Sequence, residues 1–84
     1  MFTSKDIRLC SDSYFSIIKL CDTFIELKSN NTGHYWIIQK NNGSVQLHHK
    51  HNSTDPYYHK QKKVFTVAKA IDAIMSHDTY ILQK

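Results

Sequence analysis

The sequence lacks the features that mark several common classes of protein. Its two cysteines lie eleven positions apart without partners at zinc-finger spacing, so we expect reduced thiols rather than a disulfide or metal framework. It has no apolar run near the ~18 residues that span a bilayer, and no signal peptide at its N-terminus. We therefore predict a cytoplasmic chain that does not enter a membrane.

Arginine is nearly absent, although the chain is basic. Eleven lysine and arginine residues against seven acidic ones give a net charge of +4, and Arg8 is the single arginine. Because arginine binds phosphates and guanine through two parallel hydrogen bonds while lysine acts as a point charge, this basicity is weak evidence of specific recognition. A composition rich in lysine, asparagine and isoleucine is also typical of an AT-rich genome, such as that of a phage or mobile element.

No diagnostic catalytic or cofactor motif occurs in the 84 residues. We therefore predict no cofactor and a non-enzymatic binding module that contacts nucleic acid or a protein partner. The length indicates one domain over residues 1–84, and domains of this size bury only roughly 60–65% of the surface that their unfolded chain exposes. The hydrophobic fraction of 40% is ordinary for a folded domain.

The first quarter of the chain has two interpretations. Apolar residues at helical spacing favour a helix over residues 4–20 with a serine at its start, whereas the β-branched pair Ile17 and Ile18 favours a strand over residues 14–20. After residue 23 the apolar residues alternate, which indicates a half-buried strand. Residues 30–33 then form a turn, and a strand with apolar residues on both faces follows over residues 34–40.

A β-hairpin is indicated by Asn42 and Gly43, because this dipeptide favours a type I′ turn with positive φ at both positions. If these two residues are the whole loop, Trp36 pairs with His49 and His34 with His51. A three-residue loop with a bulge would instead pair Tyr35 with His49. Only the first register places three histidines on one face.

The remaining pattern predicts an edge strand or an extended arm over residues 57–65, and a helix that Thr66 caps and that ends near His77 and Asp78. We assign those two residues to the helix end rather than to a catalytic pair. The fold class is therefore α+β, with helices on one face of an antiparallel sheet of three or more strands. The expected order of elements is αβββα.

Three histidines of the hairpin are candidate metal ligands. His49 and His51 lie at i and i+2 on one strand, and His34 faces them in the first register. Three imidazoles form a ligand set that binds zinc and leaves one position open for water. The alternative is a polar strand face without a metal.

A second candidate site is a nucleic-acid surface, in which lysines supply charge for phosphates and aromatic rings supply faces for unpaired bases. The alternative is a solvated sheet edge. The residues that we assign to this surface are Lys50, Tyr57, Tyr58, His59, Lys60, Lys62 and Lys63.

The segment Gly33, His34, Tyr35, followed by a strand and a terminal helix, resembles the HicA-type toxins. These are small RNA-cleaving proteins in which a histidine after a pair of small residues carries the activity. The resemblance implies that His34 is a catalytic histidine. It covers only a few residues, and Thr32 and Gly33 stand where that family has glycine and serine.

A protein interface is the last candidate. If the helices cover the Tyr35 and Ile37 side of the sheet, then Trp36 and Ile38 are left for a partner chain, most simply in a homodimer.

Overall fold

The computed structural model describes residues 2–11 and 13–83. It contains one five-stranded antiparallel sheet, whose strands lie side by side in chain order, and two helices. This architecture agrees with the predicted α+β class. The predicted αβββα order is incomplete, because the sheet has five strands rather than three and the first helix is short. The elements are α1 (Ser4–Cys10), β1 (Phe15–Leu20), β2 (Phe24–Ser29), β3 (Tyr35–Asn41), β4 (Ser44–Lys50), β5 (His59–Val64) and α2 (Val67–Leu82).

The first quarter of the chain is a helix followed by a strand. Thr3 caps α1 in a reciprocal capping box with Asp6, so none of the serines is the cap. The helix ends after seven residues, and β1 pairs with β2. The prediction of a single long helix over residues 4–20 is therefore wrong. The alternative prediction, a strand over residues 14–20, is confirmed by β1. Pairing of Ile17 with Leu27, with Ile18 at an irregularity in the register, outweighs the helical spacing of this segment.

Both helices cover the same face of the sheet. Alternate residues on β2, β3 and β4 are buried there, and α2 places Val67, Ala70, Ile71 and Ile74 against them. Trp36 and Ile38 are fully buried in this core. The prediction that they form a protein interface is wrong, because the helices take their side of the sheet and leave the Tyr35 and Ile37 side uncovered. We call this uncovered side the open face.

The hairpin between β3 and β4 has the predicted two-residue loop. Asn41 pairs with Ser44, and Trp36 pairs with His49. Gly43 has a φ of 74°, but no residue other than glycine has a positive φ in the described chain, so Asn42 does not adopt the type I′ conformation. A positive φ only at the third turn residue matches a type II turn.

Helix α2 begins at the predicted cap, Thr66, and runs five residues past His77. The predicted end near His77 and Asp78 is wrong, since no glycine or proline follows and residues 80–82 continue the helix. His77 therefore faces the sheet from the helix interior. No helix in the described residues is both long and apolar enough to cross a membrane.

Candidate metal centre

Three histidines from three different elements converge at one end of the core. His49 lies on β4 and is 1% exposed, His34 directly precedes β3, and His77 projects from α2. Each offers one ring nitrogen, and these nitrogens all lie within 4.8 Å of one another. We call these three residues the histidine triad.

One pair of nitrogens in the triad, from the two strand-side residues, lies at hydrogen-bond distance. His49 Nε2 lies 3.1 Å from His34 Nδ1, which is hydrogen-bond distance. The ring centroid of His77 lies 4.7 Å from that of His49 and 5.8 Å from that of His34. The pairing of β3 with β4 brings His34 and His49 together, and α2 is long enough to place the ring of His77 beside them.

Two further histidines surround the triad. His51 stacks on His34 with a centroid distance of 4.9 Å and an interplanar angle of 3°, while His59 meets the ring of His49 edge-on at 5.4 Å. The prediction that His34, His49 and His51 share one side of the hairpin fits these contacts. The converging third nitrogen, however, comes from His77, because the His51 ring lies parallel to that of His34.

The surroundings of His34 and His49 favour the neutral form of both rings. Burial, followed by the neighbouring imidazoles His77, His34, His51 and His59, lowers the pKa of His49 to about 3. Burial also lowers the pKa of His34, and the nearby His51 and His77 act in the same direction. Neutral imidazoles have a free lone pair, so near neutral pH these two residues need lose no proton to bind a metal.

Asp78 lies beside the triad and is fully buried. Its Oδ2 accepts hydrogen bonds from Tyr14 Oη at 2.7 Å and from Ser29 Oγ, and its Oδ1 accepts one from Thr32 Oγ1 at 3.2 Å. Its Oδ1 also lies 4.0 Å from His77 Nδ1. The carboxylate thus has three hydroxyl donors and, in the ring of His77, a group that can carry positive charge.

The same network fixes the backbone of His34. Its N–H donates to Thr32 Oγ1 at 3.3 Å, and its carbonyl accepts from the N–H of Ser29 at 2.9 Å. Ser29 and Thr32 are two of the three residues that donate to Asp78. Helix α2 therefore holds His34 in place through Asp78 as well as supplying His77.

An open cleft of about 400 Å³ adjoins the triad between α2 and the β4–β5 edge. Trp36 and His77 line it, and their rings meet edge-on at 5.2 Å. Trp36 Nε1 and His77 Nδ1 are the two buried side-chain nitrogens without a hydrogen-bond partner in the described part of the chain. Buried polar atoms are normally paired, so these two nitrogens are exceptions within the core.

No protein-family model, curated protein or solved structure matches this chain. The resemblance of His34 and its neighbours to the HicA-type toxins therefore stays a prediction. The structure places His34 within a cluster of imidazoles rather than alone on an exposed strand.

The residues predicted to bind nucleic acid are divided between the two faces of the sheet. Lys60 pairs with His48 and Lys63 with Gln46, so these two lysines lie on the open face. Lys62 lines the cleft on the helix side. His59 joins the histidine cluster, Tyr57 is 82% exposed, and Lys50 lies over the ring of Tyr58. These residues therefore do not all lie on one surface of the sheet.

His77 and Asp78 were not among the predicted ligands because the predicted helix ended at them. One signal could have identified them. His77 lies three positions after Ile74 and seven after Ala70, so extending the apolar stripe of α2 by one turn places its ring on the buried side.

Proposed function

We propose that the chain binds a divalent transition-metal ion through His34, His49 and His77. Zinc is the ion that we propose first. The observation that carries this proposal is the convergence of three ring nitrogens from a strand, a turn and a helix within 4.8 Å. Residues so far apart in sequence meet there only in the folded protein. Binding is therefore coupled to folding.

The donor set selects the class of metal. Imidazole nitrogen is a preferred ligand of zinc, copper, nickel and iron, whereas calcium and magnesium require several oxygen ligands. The triad offers three nitrogens and no thiolate. Asp78 supports the site from outside the ligand shell, since a carboxylate beside a ligating histidine orients its ring and raises its basicity.

The spacing of the nitrogens suits tetrahedral coordination. A zinc ion with bonds of about 2.0–2.1 Å holds its ligand nitrogens about 3.3 Å apart. The separation of 3.1 Å between His34 Nδ1 and His49 Nε2 is close to this value. The other separations need to shorten by at most about 1.5 Å, which a rotation of the His77 side chain can provide.

Three protein ligands leave the fourth coordination position open. The parallel stacking of His51 on His34 directs its ring away from a shared ion, so the fourth ligand is water or an external group. The adjoining cleft, which Trp36 and His77 line, gives such a group access from solvent. Three histidines with an open position form a ligand set used in catalytic zinc sites.

Thermal unfolding with and without zinc tests the proposal. A ligand at one hundred times its dissociation constant stabilises the folded state by about 2.7 kcal/mol. For a domain of this size that corresponds to a rise in midpoint of roughly 10–20 °C. Isothermal titration with zinc should give a stoichiometry of one, and a chelator should reverse the shift.

Substitution of the ligands supplies the control. His77→Ala and His34→Gln should each abolish most of the zinc-induced shift. His48→Ala should keep it, because His48 lies on the same strand as His49 but on the open face, where its Nε2 meets Gln39 Oε1 at 2.8 Å. A midpoint that does not respond to zinc in the wild-type chain, or a shift that His77→Ala and His48→Ala retain equally, would contradict the proposal.

A further inference from the structure

The open face carries aromatic and apolar rings on neighbouring strands. Phe24 lies on β2, Tyr35 and Ile37 lie on β3, and the ring of Tyr58 reaches across from the segment before β5. Tyr58 Oη donates a hydrogen bond of 2.7 Å to Glu26 Oε2 on β2, so its side chain spans β3 and β4. These side chains are half-buried although neither helix covers them.

The positive charge of the chain is concentrated on the same face. The strand registers place five lysines there, against Glu26 as the one acidic residue among the described strands, which gives this face a formal charge of +4. This equals the net charge of the whole sequence, so the basic and acidic residues elsewhere cancel. The five lysines are Lys19, Lys28, Lys50, Lys60 and Lys63.

None of these five lysines forms an ion pair with a carboxylate in the described residues. Two of them lie over aromatic rings instead. The ammonium of Lys50 is 4.8 Å from the ring centre of Tyr58 and 5.4 Å from that of Tyr35, and the ammonium of Lys19 is 5.9 Å from that of Phe24. On the open face, lysine ammonium groups and aromatic rings therefore lie next to one another.

A shallow depression of about 260 Å³ lies in the middle of this face. Phe24, Ile37 and Tyr58 form its apolar lining, and the hydrogen-bonded pair of Gln39 and His48 lies at its side. The lining can stack a planar ring, while the amide and imidazole can bond to polar atoms at its edge. Unpaired nucleobases are bound in this way by aromatic side chains and edge-directed hydrogen bonds.

We propose that the open face binds single-stranded nucleic acid. A base occupies the depression against Phe24 and Tyr58, and the surrounding lysines contact the phosphates. Charge complementarity selects a polyanion, and the aromatic depression selects one whose bases are free to leave the stack. This surface lies across the sheet from the histidine triad, so it is independent of the proposed metal site.

Fluorescence anisotropy with labelled 12-mer single strands of RNA and of DNA tests the charge component. Lys60→Ala combined with Lys63→Ala should weaken binding and reduce the slope of log affinity against log salt by about 1.4, which is the value for two lost single-strand phosphate contacts. The matched control is Lys62→Ala combined with Lys69→Ala. This control removes the same charge from the helix side of the sheet, and it should leave the slope of log affinity against log salt unchanged.

The stacking component is tested by Phe24→Leu, which keeps an apolar side chain and removes the ring. It should lower affinity for the oligonucleotides about 5- to 150-fold. Binding of inorganic polyphosphate should not change. A circular dichroism melt confirms that the variant is folded, and if Phe24→Leu fails to fold, Gln39→Ala tests the rim of the depression with the same two probes.

Three results would overturn the proposal. Equal salt slopes for the two double lysine variants would show that the charge of the open face is not used. Equal affinity for a duplex and for single strands would remove the role of unpaired bases. Concentration-dependent self-association that Phe24→Leu abolishes, without any binding of oligonucleotides, would identify a second copy of this chain as the occupant.

Discussion

Replacement of Asp78 by alanine should be among the most destabilising single changes in this protein. The substitution removes the acceptor for the hydroxyl groups of Tyr14, Ser29 and Thr32. A hydrogen bond to a charged acceptor contributes about 1.5–3 kcal/mol, and Ser29 is fully buried and cannot turn to water instead. Since the contributions do not add fully, we expect a loss of about 3–5 kcal/mol in the free energy of unfolding.

That loss is large compared with the total free energy of unfolding. At about 0.05–0.15 kcal/mol per residue, a chain of this length has roughly 4–13 kcal/mol of stability. Guanidinium unfolding followed by tryptophan fluorescence measures the change well, because Trp36 is the single tryptophan and lies in the core. The midpoint should fall sharply while the dependence on denaturant stays the same.

Two further variants test whether the loss of stability comes from the missing hydrogen-bond acceptor. Asp78→Asn keeps a carbonyl oxygen for Tyr14 and Ser29 and offers an N–H to the Thr32 hydroxyl, so it should cost only about 1 kcal/mol. Asp72→Ala changes an exposed carboxylate on the same helix and should stay within about 0.5 kcal/mol of the wild type. A loss of less than about 1.5 kcal/mol in Asp78→Ala, or a loss no larger than that of Asp78→Asn, would refute the stabilising role assigned to the Asp78 carboxylate.

Three more predictions concern pH, the hairpin and the thiols. Folding lowers the pKa of His49 from 6.5 to about 3, so the free energy of unfolding should fall as pH drops from about 6.5 towards 3, by at most about 1.4 kcal/mol per pH unit from this group. Equal denaturation midpoints at pH 7 and pH 5 would contradict this. Gly43→Ala should cost about 1–2 kcal/mol in thermal unfolding, because the φ of 74° strains alanine although the space around it is open. Unchanged stability would mean that the turn tolerates a side chain. A thiol reagent at pH 8 should label the half-buried Cys21 first, since Cys10 is fully buried and burial raises its pKa to about 11; equal labelling rates in the folded protein would argue against that burial.

The local pattern of the sequence determined much of the fold. The alternation of apolar residues, the Asn42 and Gly43 dipeptide and the Thr66 cap were sufficient for the central hairpin and the start of α2, and they limited the hairpin to two registers, of which the structure has the first. These features depend on the pleat of a strand, the conformational freedom of glycine and the unpaired N–H groups at a helix start, which act between residues close in sequence. A candidate set that contained His34 and His49 followed from the first of these two registers.

Only the tertiary structure decided which face of the sheet the helices cover and which histidines meet. β3 is apolar on both faces, so periodicity could not show that Trp36 belongs to the core and Ile37 to the open face. The continuation of α2 past Asp78 depends on packing against the sheet. The helix places His77 beside His34 and Asp78 beside Thr32, in both cases more than forty positions away in sequence. Contacts of that range arise from side-chain packing between elements, which the local sequence pattern does not encode.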